Sequence, residues 1–149
     1  MAKDSGFTLL ELIVVLLLIS LIAGISVVLF TGTLSSGTLD ATARSLVAAM
    51  KHARGQSAMS GEPHAVFIDL DAGSYGIEGT GGRTFPRGIA VSFSDPLAGI
   101  QTSGKHLIAY DPVGGIQGGT VMLATPKRSV AVRPDPIVAA VTERVEKAP

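Results

Sequence analysis

The stretch Gly6-Phe7-Thr8-Leu9-Leu10-Glu11-Leu12-Ile13-Val14-Val15 decides how this chain is read, because it sets one carboxylate at the head of an apolar run that continues to Phe30. From Leu12 through Leu39 there is no Asp, Glu, Lys, Arg or His, and between Leu12 and Phe30 only Ser20, Gly24 and Ser26 interrupt the apolar side chains. A helix over residues 12–30 would be about 28 Å long, close to the roughly 30 Å hydrocarbon core of a bilayer. The run is therefore read as a single membrane span. Ahead of it stand the amino terminus and Lys3 against Asp4. That small positive excess favours a cytoplasmic N-terminus, with the folded part on the other side.

Glu11 separates three explanations of the first thirty residues. A cleaved secretory signal has an apolar core of about 7 to 15 residues and a small-x-small exit site. Here the core is too long, although Gly24-Ile25-Ser26 imitates such an exit. A plain signal anchor accounts for the length but not for the acid, which costs about 2.5 to 3.5 kcal/mol at a helix centre and less at its end. An interfacial acid at a helix N-terminus is the plainest account of Glu11 on that view. The third explanation uses every residue of the stretch. Met1 to Phe7 followed by Thr8-Leu9-Leu10-Glu11 resembles the processing site of type IV pilins and of the pseudopilins of type II secretion.

The resemblance implies a leader of residues 1–6, cut by a prepilin peptidase between Gly6 and Phe7, with Phe7 then N-methylated. Glu11 becomes the fifth residue of the mature chain, where that family carries its glutamate. Burying the new ammonium of Phe7 among packed helices requires an anion, and four residues along a helix Glu11 lies on the same face. A buried charge left unpaired is strongly destabilising, so this pairing can select axial register between neighbouring subunits. Glu11 is accordingly read as an assembly residue and not as a catalytic acid.

Past the assembly helix, taken as residues 7–30, the helix is expected to continue over 31–61. Thr31 to Thr38 weakens it, since Gly32 and Gly37 each cost about 1 kcal/mol relative to Ala, and a bend is expected there. From Leu39 an amphipathic stripe sets in: Leu39, Ala43, Leu46, Val47, Met50, Ala53, Ser57 and Ala58 share one face. Gly61 followed by Glu62-Pro63 marks its end. Beyond Pro63 the period becomes two, and strands are predicted at 65–70, 74–78, 88–93, 106–110, 121–124, 130–133 and 137–145. Turns are read at Asp71-Ala72-Gly73, Gly79 to Gly82, Asp95-Pro96, Asp111-Pro112, Gly118-Gly119 and Pro126-Lys127-Arg128. Asp95 to Lys105 is read as a mobile loop. Helix first and strands after predicts an α+β fold, a long helix packed on antiparallel sheets, with residues 62–149 as the globular β part.

Formal net charge is zero, charged residues are 16% of the 149, and cysteine is absent. There is thus no disulfide and no thiolate metal site. His52, His64 and His106 are dispersed, which favours ordinary histidines over metal ligands. Asp69-Leu70-Asp71-Ala72-Gly73 offers oxygen ligands, but a calcium loop wants more of them and a terminal Glu, so a hairpin tip is the preferred reading. Gly79-Thr80-Gly81-Gly82 precedes no helix, so it is not read as a phosphate cradle. No nucleophile elbow is present. The expectation is a chain with no enzymatic activity, cofactor or metal.

Ala43 to Ala58, then a short hairpin and the late Asp111-Pro112-Val113-Gly114-Gly115 segment, are similar to minor pseudopilin H of type II secretion and to related minor type IV pilins. The resemblance implies a helix backed by a β-sandwich-like domain and a place near the tip of a periplasmic pseudopilus that helps export folded proteins. Its implied partners are other major and minor pseudopilins, the prepilin peptidase, the inner-membrane assembly platform and the inner membrane itself. The alternative is a minor type IV pilin acting in pilus assembly or DNA uptake. For that role Lys127, Arg128 and Arg133 form a small basic group, diluted by Asp135, Glu143 and Glu146. Family members often carry a proline in the apolar helix, whereas here no proline precedes Pro63. The usual pseudopilin K lacks the glutamate matched by Glu11, which argues against that assignment.

Overall fold

The structure, a computed structural model, describes residues 9–145, and the side chains of all of these except 21–36. The chain divides into two compact units at the Leu34–Ser35 junction. Helix α1 covers Leu9–Ser60, with a part in each unit. Ten strands follow: β1 His64–Asp69, β2 Ser74–Ile77, β3 Arg83–Thr84, β4 Ala90–Asp95, β5 Gly99–Gln101, β6 Lys105–Tyr110, β7 Ile116–Gln117, β8 Thr120–Ala124, β9 Ser129–Asp135 and β10 Ala139–Val145.

Within the unit that begins at Ser35, the part of α1 from Leu39 onward carries the predicted stripe. Leu39, Leu46, Met50, Ala53 and Ser57 are fully buried, and Thr42 and Ala43 nearly so. Spacings of three and four residues keep these side chains on one helical face. Ala58, placed on the stripe by its spacing, is instead exposed. The helix stops where expected. Gly61 takes a φ of 73°, and its N–H donates to the Ser57 carbonyl at 3.0 Å, which satisfies a carbonyl that the helix end would otherwise leave open.

The strands form two five-stranded antiparallel sheets, ordered β3-β2-β1-β6-β7 and β10-β9-β8-β4-β5. Each turns one face inward with period two: Val66 and Ile68 on β1, Ile108 and Tyr110 on β6, Val121 and Leu123 on β8, Val130 and Val132 on β9. These side chains and the α1 stripe make one hydrophobic cluster, so the unit is α+β around a single core. Removing any of these fully buried aliphatic side chains from water contributes about 1.5 to 3 kcal/mol.

Polar contacts tie the helix to both sheets in matching order. Asp40 pairs with Arg128 just before β9, and Arg54 donates to the Ile137 carbonyl just after it. Fourteen helical residues advance about 21 Å and seven strand residues about 23 Å, so β9 runs alongside α1 in the same direction. On the other sheet, Arg83 donates to Ser45 Oγ at 2.8 Å and Ser57 Oγ donates to the Tyr110 carbonyl at 2.9 Å. The two sheets are joined where the Tyr110 hydroxyl donates to the Ala139 carbonyl at 2.6 Å, and where His106 stacks on Phe93 at 4.5 Å between centroids. Burial pushes the Tyr110 phenol well above its ordinary pKa, so it stays a donor. Tyr110→Phe leaves the Ala139 carbonyl without that bond and should cost about 1 to 3 kcal/mol, read from the urea midpoint.

The Arg128 guanidinium beside Asp40 holds its carboxyl below the usual carboxylate range. A folded-state pKa below the unfolded 3.8 means the contribution is complete above that pH and is lost as pH falls through the folded value. Stability should therefore decline below about pH 4, and Asp40→Asn should flatten part of that decline.

Several strand boundaries differ from the sequence prediction. The segment read as a mobile loop, Asp95 to Lys105, is instead ordered. It holds β5, paired back on β4 with Asp95 opposite Gly99, and a turn whose Gly104 N–H donates to Asp71 at 3.0 Å. The strand expected at 88–93 starts at Ala90, because Gly88 sits at a φ of 87° in the preceding turn. The strand expected from Ile137 starts at Ala139, the preceding residues forming a turn. The short strands β3 and β7 were not anticipated, being two residues each.

Candidate assembly site

Gly6 and Phe7 lie outside the described residues. Glu11 lies on the first turn of α1, where the partial positive charge of a helix N-terminus favours an acid. Around and after it the helix is apolar on every side. Each of the ten aliphatic residues between Leu9 and Ile19 is 46% exposed or more. A step of about 100° per residue spreads them over the whole circumference, so no single face can be called the inner one. Ser20 Oγ donates to the Leu16 carbonyl at 2.8 Å, turning its polar group back onto its own helix. An apolar surface of this kind is stable only when something covers it, whether lipid or another helix.

Residues 1–27 match the prokaryotic N-terminal methylation motif. That motif supports a type IV pilin-like protein with a prepilin leader, a membrane-anchored N-terminus and assembly with other pilins. No curated protein and no solved structure matches the chain. Among the described residues no helix is long and apolar enough to cross a membrane. The span read from the sequence over residues 12–30 runs into positions 21–36, whose side chains are outside the description.

The remaining candidate residues fall into local roles. Asp69 Oδ1 accepts the Ala72 N–H at 2.8 Å and Asp71 accepts from Gly104, so both carboxylates of the β1–β2 hairpin tip cap backbone groups. His52 is exposed on α1, His64 is bonded to Ser60 Oγ at 3.1 Å, and the Nε2 of His106 donates to the Ser103 carbonyl at 2.9 Å. The structure does not bring these histidines together, and no group of metal-holding side chains occurs among the described residues. Among the glycines around the β2–β3 turn Gly82 serves packing, since a Cβ there would meet the Phe67 ring at 2.8 Å, and Gly79 supplies a left-handed φ of 82°. Lys127 and Arg128 lie in the turn just before β9 and Arg133 near its end, so the basic group of the sequence is drawn out along a strand, and Arg128 is engaged with Asp40.

Sequence reading missed one cluster. An Asp-Pro pair and an aliphatic residue stand at the ends of β4 and β9 and directly after β6: Asp95-Pro96-Leu97, Asp135-Pro136-Ile137 and Asp111-Pro112-Val113. Asp95 Oδ1 accepts from the N–H groups of Leu97 and Ala98 at 2.8 and 2.9 Å, and Asp135 Oδ1 from those of Ile137 and Val138 at 2.8 and 3.0 Å. These bonds hold both carboxyls below the ordinary carboxylate range. β4 and β9 both pair antiparallel with β8, so they run in one direction and deliver their turns to the same end of the unit. The repeated Asp-Pro-aliphatic triplet was the signal available for finding it.

Proposed function

We propose that this chain is a structural subunit of a type IV pilin-like filament, and more specifically a minor pseudopilin near the tip of a type II secretion pseudopilus. The observation that carries the reading is the N-terminal segment: ten exposed aliphatic residues around a helix whose first turn holds a single acid, inside a matched methylation motif. In this reading prepilin peptidase cuts after Gly6, Phe7 becomes the methylated N-terminus, and residues 7–30 span the inner membrane until they pack into the filament. The globular unit then lies in the periplasm and takes part by contact, without catalysing a reaction. The pseudopilus assignment rests on the similarity of Ala43 to Ala58 and of the later segment to minor pseudopilin H. The dispersal of the basic residues along β9 weighs against a nucleic-acid role, since affinity for a phosphate backbone grows with the number of clustered cations.

Processing gives the direct test. Mass spectrometry of the protein taken from membranes should find a chain that begins at N-methylated Phe7, and replacing Gly6 by a bulky residue should leave the leader attached. An N-terminus at Val27 would mean an ordinary signal peptide and would end the filament reading. Loss of secreted enzymes, with pili unaffected, on deleting the gene should mark the pseudopilus branch; the reverse outcome would mark a minor type IV pilin.

A further inference from the structure

Charge is sorted along the β10-β9-β8-β4-β5 sheet. At one end its strands come into register in the row Ala90, Ala124, Ser129 and Val145. β4 and β9 run with α1 and begin there, so this is the end at which α1 enters the globular unit. Basic residues flank the row: Arg87 ahead of Ala90, Lys127 and Arg128 between Ala124 and Ser129, and Arg144 beside Val145. Arg44 joins them from the helix, one turn beyond the Asp40 that Arg128 holds. Arg44 and Arg144 both stand near enough to Asp40 to favour its ionised carboxylate. Against these cations the acids of the row are Asp40 and Glu143. At the other ends of β4 and β9 stand Asp95 and Asp135 instead. In the second sheet Asp69 and Asp71 of the β1–β2 tip are matched in part by Lys105, opposite Asp69. Arg44, Arg87, Lys127 and Arg144 are exposed, and their side chains make no hydrogen bond or ion pair among the described residues. Beside them lies a shallow cleft of about 450 Å³ lined by Gly88, Ile89, Ala90, Ala124, Thr125 and Pro126. Its one hydroxyl, Thr125 Oγ1, donates to the Arg128 carbonyl at 2.9 Å.

We propose that this basic end of the globular unit rests on the membrane surface, where its arginines and lysine take the phosphates of anionic lipid headgroups. Such contact rests on the membrane span of residues 12–30 in the proposed function. The length of chain between span and row selects the occupant. Ten residues lead from Phe30, where the apolar run ends, to Asp40. They reach about 15 Å as a helix and at most about 35 Å fully stretched. Headgroup phosphates are thereby kept at high effective concentration around these cations, as a linker does for a second binding event. Each Arg or Lys close to an anionic surface raises affinity about fivefold, over a screening length of about 8 Å at physiological ionic strength. The apolar cleft suits such an interface, because headgroups closing over it strip water from no unpaired hydroxyl. A nucleic acid is the poorer match. Its affinity accumulates phosphate by phosphate, and no tether holds it at a row diluted by Asp40 and Glu143.

The test uses the full chain in vesicles of phosphatidylcholine with or without phosphatidylglycerol. Cysteine is absent, so Ala90→Cys and, past the other end of β4, Leu97→Cys each give a single point for a fluorophore. Lipids spin-labelled on the headgroup quench a fluorophore that touches the surface. The label at 90 should be quenched when phosphatidylglycerol is present, and freed without it or in about 1 M salt, where the screening length falls to about 3 Å. The label at 97 should stay bright throughout. Arg87→Gln, Lys127→Gln and Arg144→Gln together should lower the contact equilibrium about a hundredfold, three fivefold steps, whereas Arg87→Lys with Arg144→Lys should keep it. These positions are exposed, and an unshifted melting temperature checks that the fold is kept. Flotation with the vesicles at high salt reads the span by itself. A chain that does not float loses the span and this proposal together, and a floating chain without charge-dependent quenching at 90 loses the proposal alone. Inorganic phosphate or a short DNA duplex that freed the label from anionic vesicles at constant ionic strength would assign the row to a soluble phosphate ligand and overturn the lipid assignment.

Discussion

Gly119→Ala should cost the globular unit about 3 kcal/mol or more, the upper range for overpacking, because a side chain there meets backbone and not a movable side-chain tip. A Cβ on Gly119 would overlap the Ser94 carbonyl oxygen and lie 2.9 Å from the Phe93 ring. Gly118 and Gly119 carry the chain from β7 in one sheet to β8 in the other, so the clash falls where the two sheets are joined. Ser94 is paired opposite Thr120, and moving it aside breaks the β4–β8 register beside buried Phe93. Gly118 is held by the same crowding and by a φ of 134°, with the Leu107 carbonyl 2.8 Å from a built Cβ. Thermal unfolding of a fragment beginning at Ser35 should show a fall in Tm on the order of 10 °C. Gly81→Ala supplies the control: no atom lies within 4 Å of its Cβ position, and its Tm should stay with the unchanged fragment. Equal melting of the Gly119 variant would show that the sheets do not approach so closely there.

The same pair of glycines shows what kind of information the sequence carried. A Gly-Gly step between two apolar runs signals a turn, and a turn is there. That the second glycine is required by a carbonyl from β4, over twenty residues away, is a tertiary fact that no local pattern contains. The α1 stripe was legible for the opposite reason: period and burial coincide over five turns, from Leu39 to Ser57. β6 and β8 were legible too, since buried and less buried residues alternate along them, and β1, β2 and β9 through their apolar runs bounded by turn residues. β5 was not, with Gly99 and Ile100 both exposed, and two-residue strands such as β3 leave no period at all.

The third Asp-Pro turn was hidden by a single residue. Asp95-Pro96-Leu97-Ala98-Gly99 announces itself because Gly99 takes the left-handed conformation, at a φ of 77°. Asp135-Pro136-Ile137-Val138-Ala139 makes the same turn with alanine in that place, at a φ of 71°. An alanine there is uncommon and costs on the order of 1 kcal/mol. Its carbonyl is bonded by Tyr110 and its side chain is buried, so packing holds a conformation that local preference opposes. Without a glycine Ile137 and Val138 read as the start of the strand predicted at 137–145. For the N-terminal site the balance is reversed: Gly6, Phe7 and Glu11 are readable only as a linear motif, because in the proposed function their chemistry is completed by a protease and by neighbouring chains.

Glu11→Gln should leave the monomer unharmed and disable assembly. Gln keeps the length and helix preference of Glu and sheds a charge that insertion disfavours, so membrane insertion and cleavage after Gly6 should proceed as before. In the proposed function the Phe7 ammonium would then be carried into the filament without an anion. Breaking a buried ion pair by removing one partner costs about 3 to 5 kcal/mol where burial is deep, and less at a wet interface. Even 3 kcal/mol lowers an incorporation equilibrium by more than about a hundredfold. Crosslinking of the cleaved variant to neighbouring subunits in membranes, compared with the unchanged protein at equal abundance, reads that loss. Glu11→Asp makes a sharper comparison, because it keeps the charge and shortens its reach by one methylene. Partial recovery with Asp and none with Gln would identify the lost term as electrostatic and not steric. Crosslinking and secretion undiminished in the Gln variant would show that Glu11 is only an interfacial acid at a helix N-terminus, worth the few tenths to 1 kcal/mol that such a position gives.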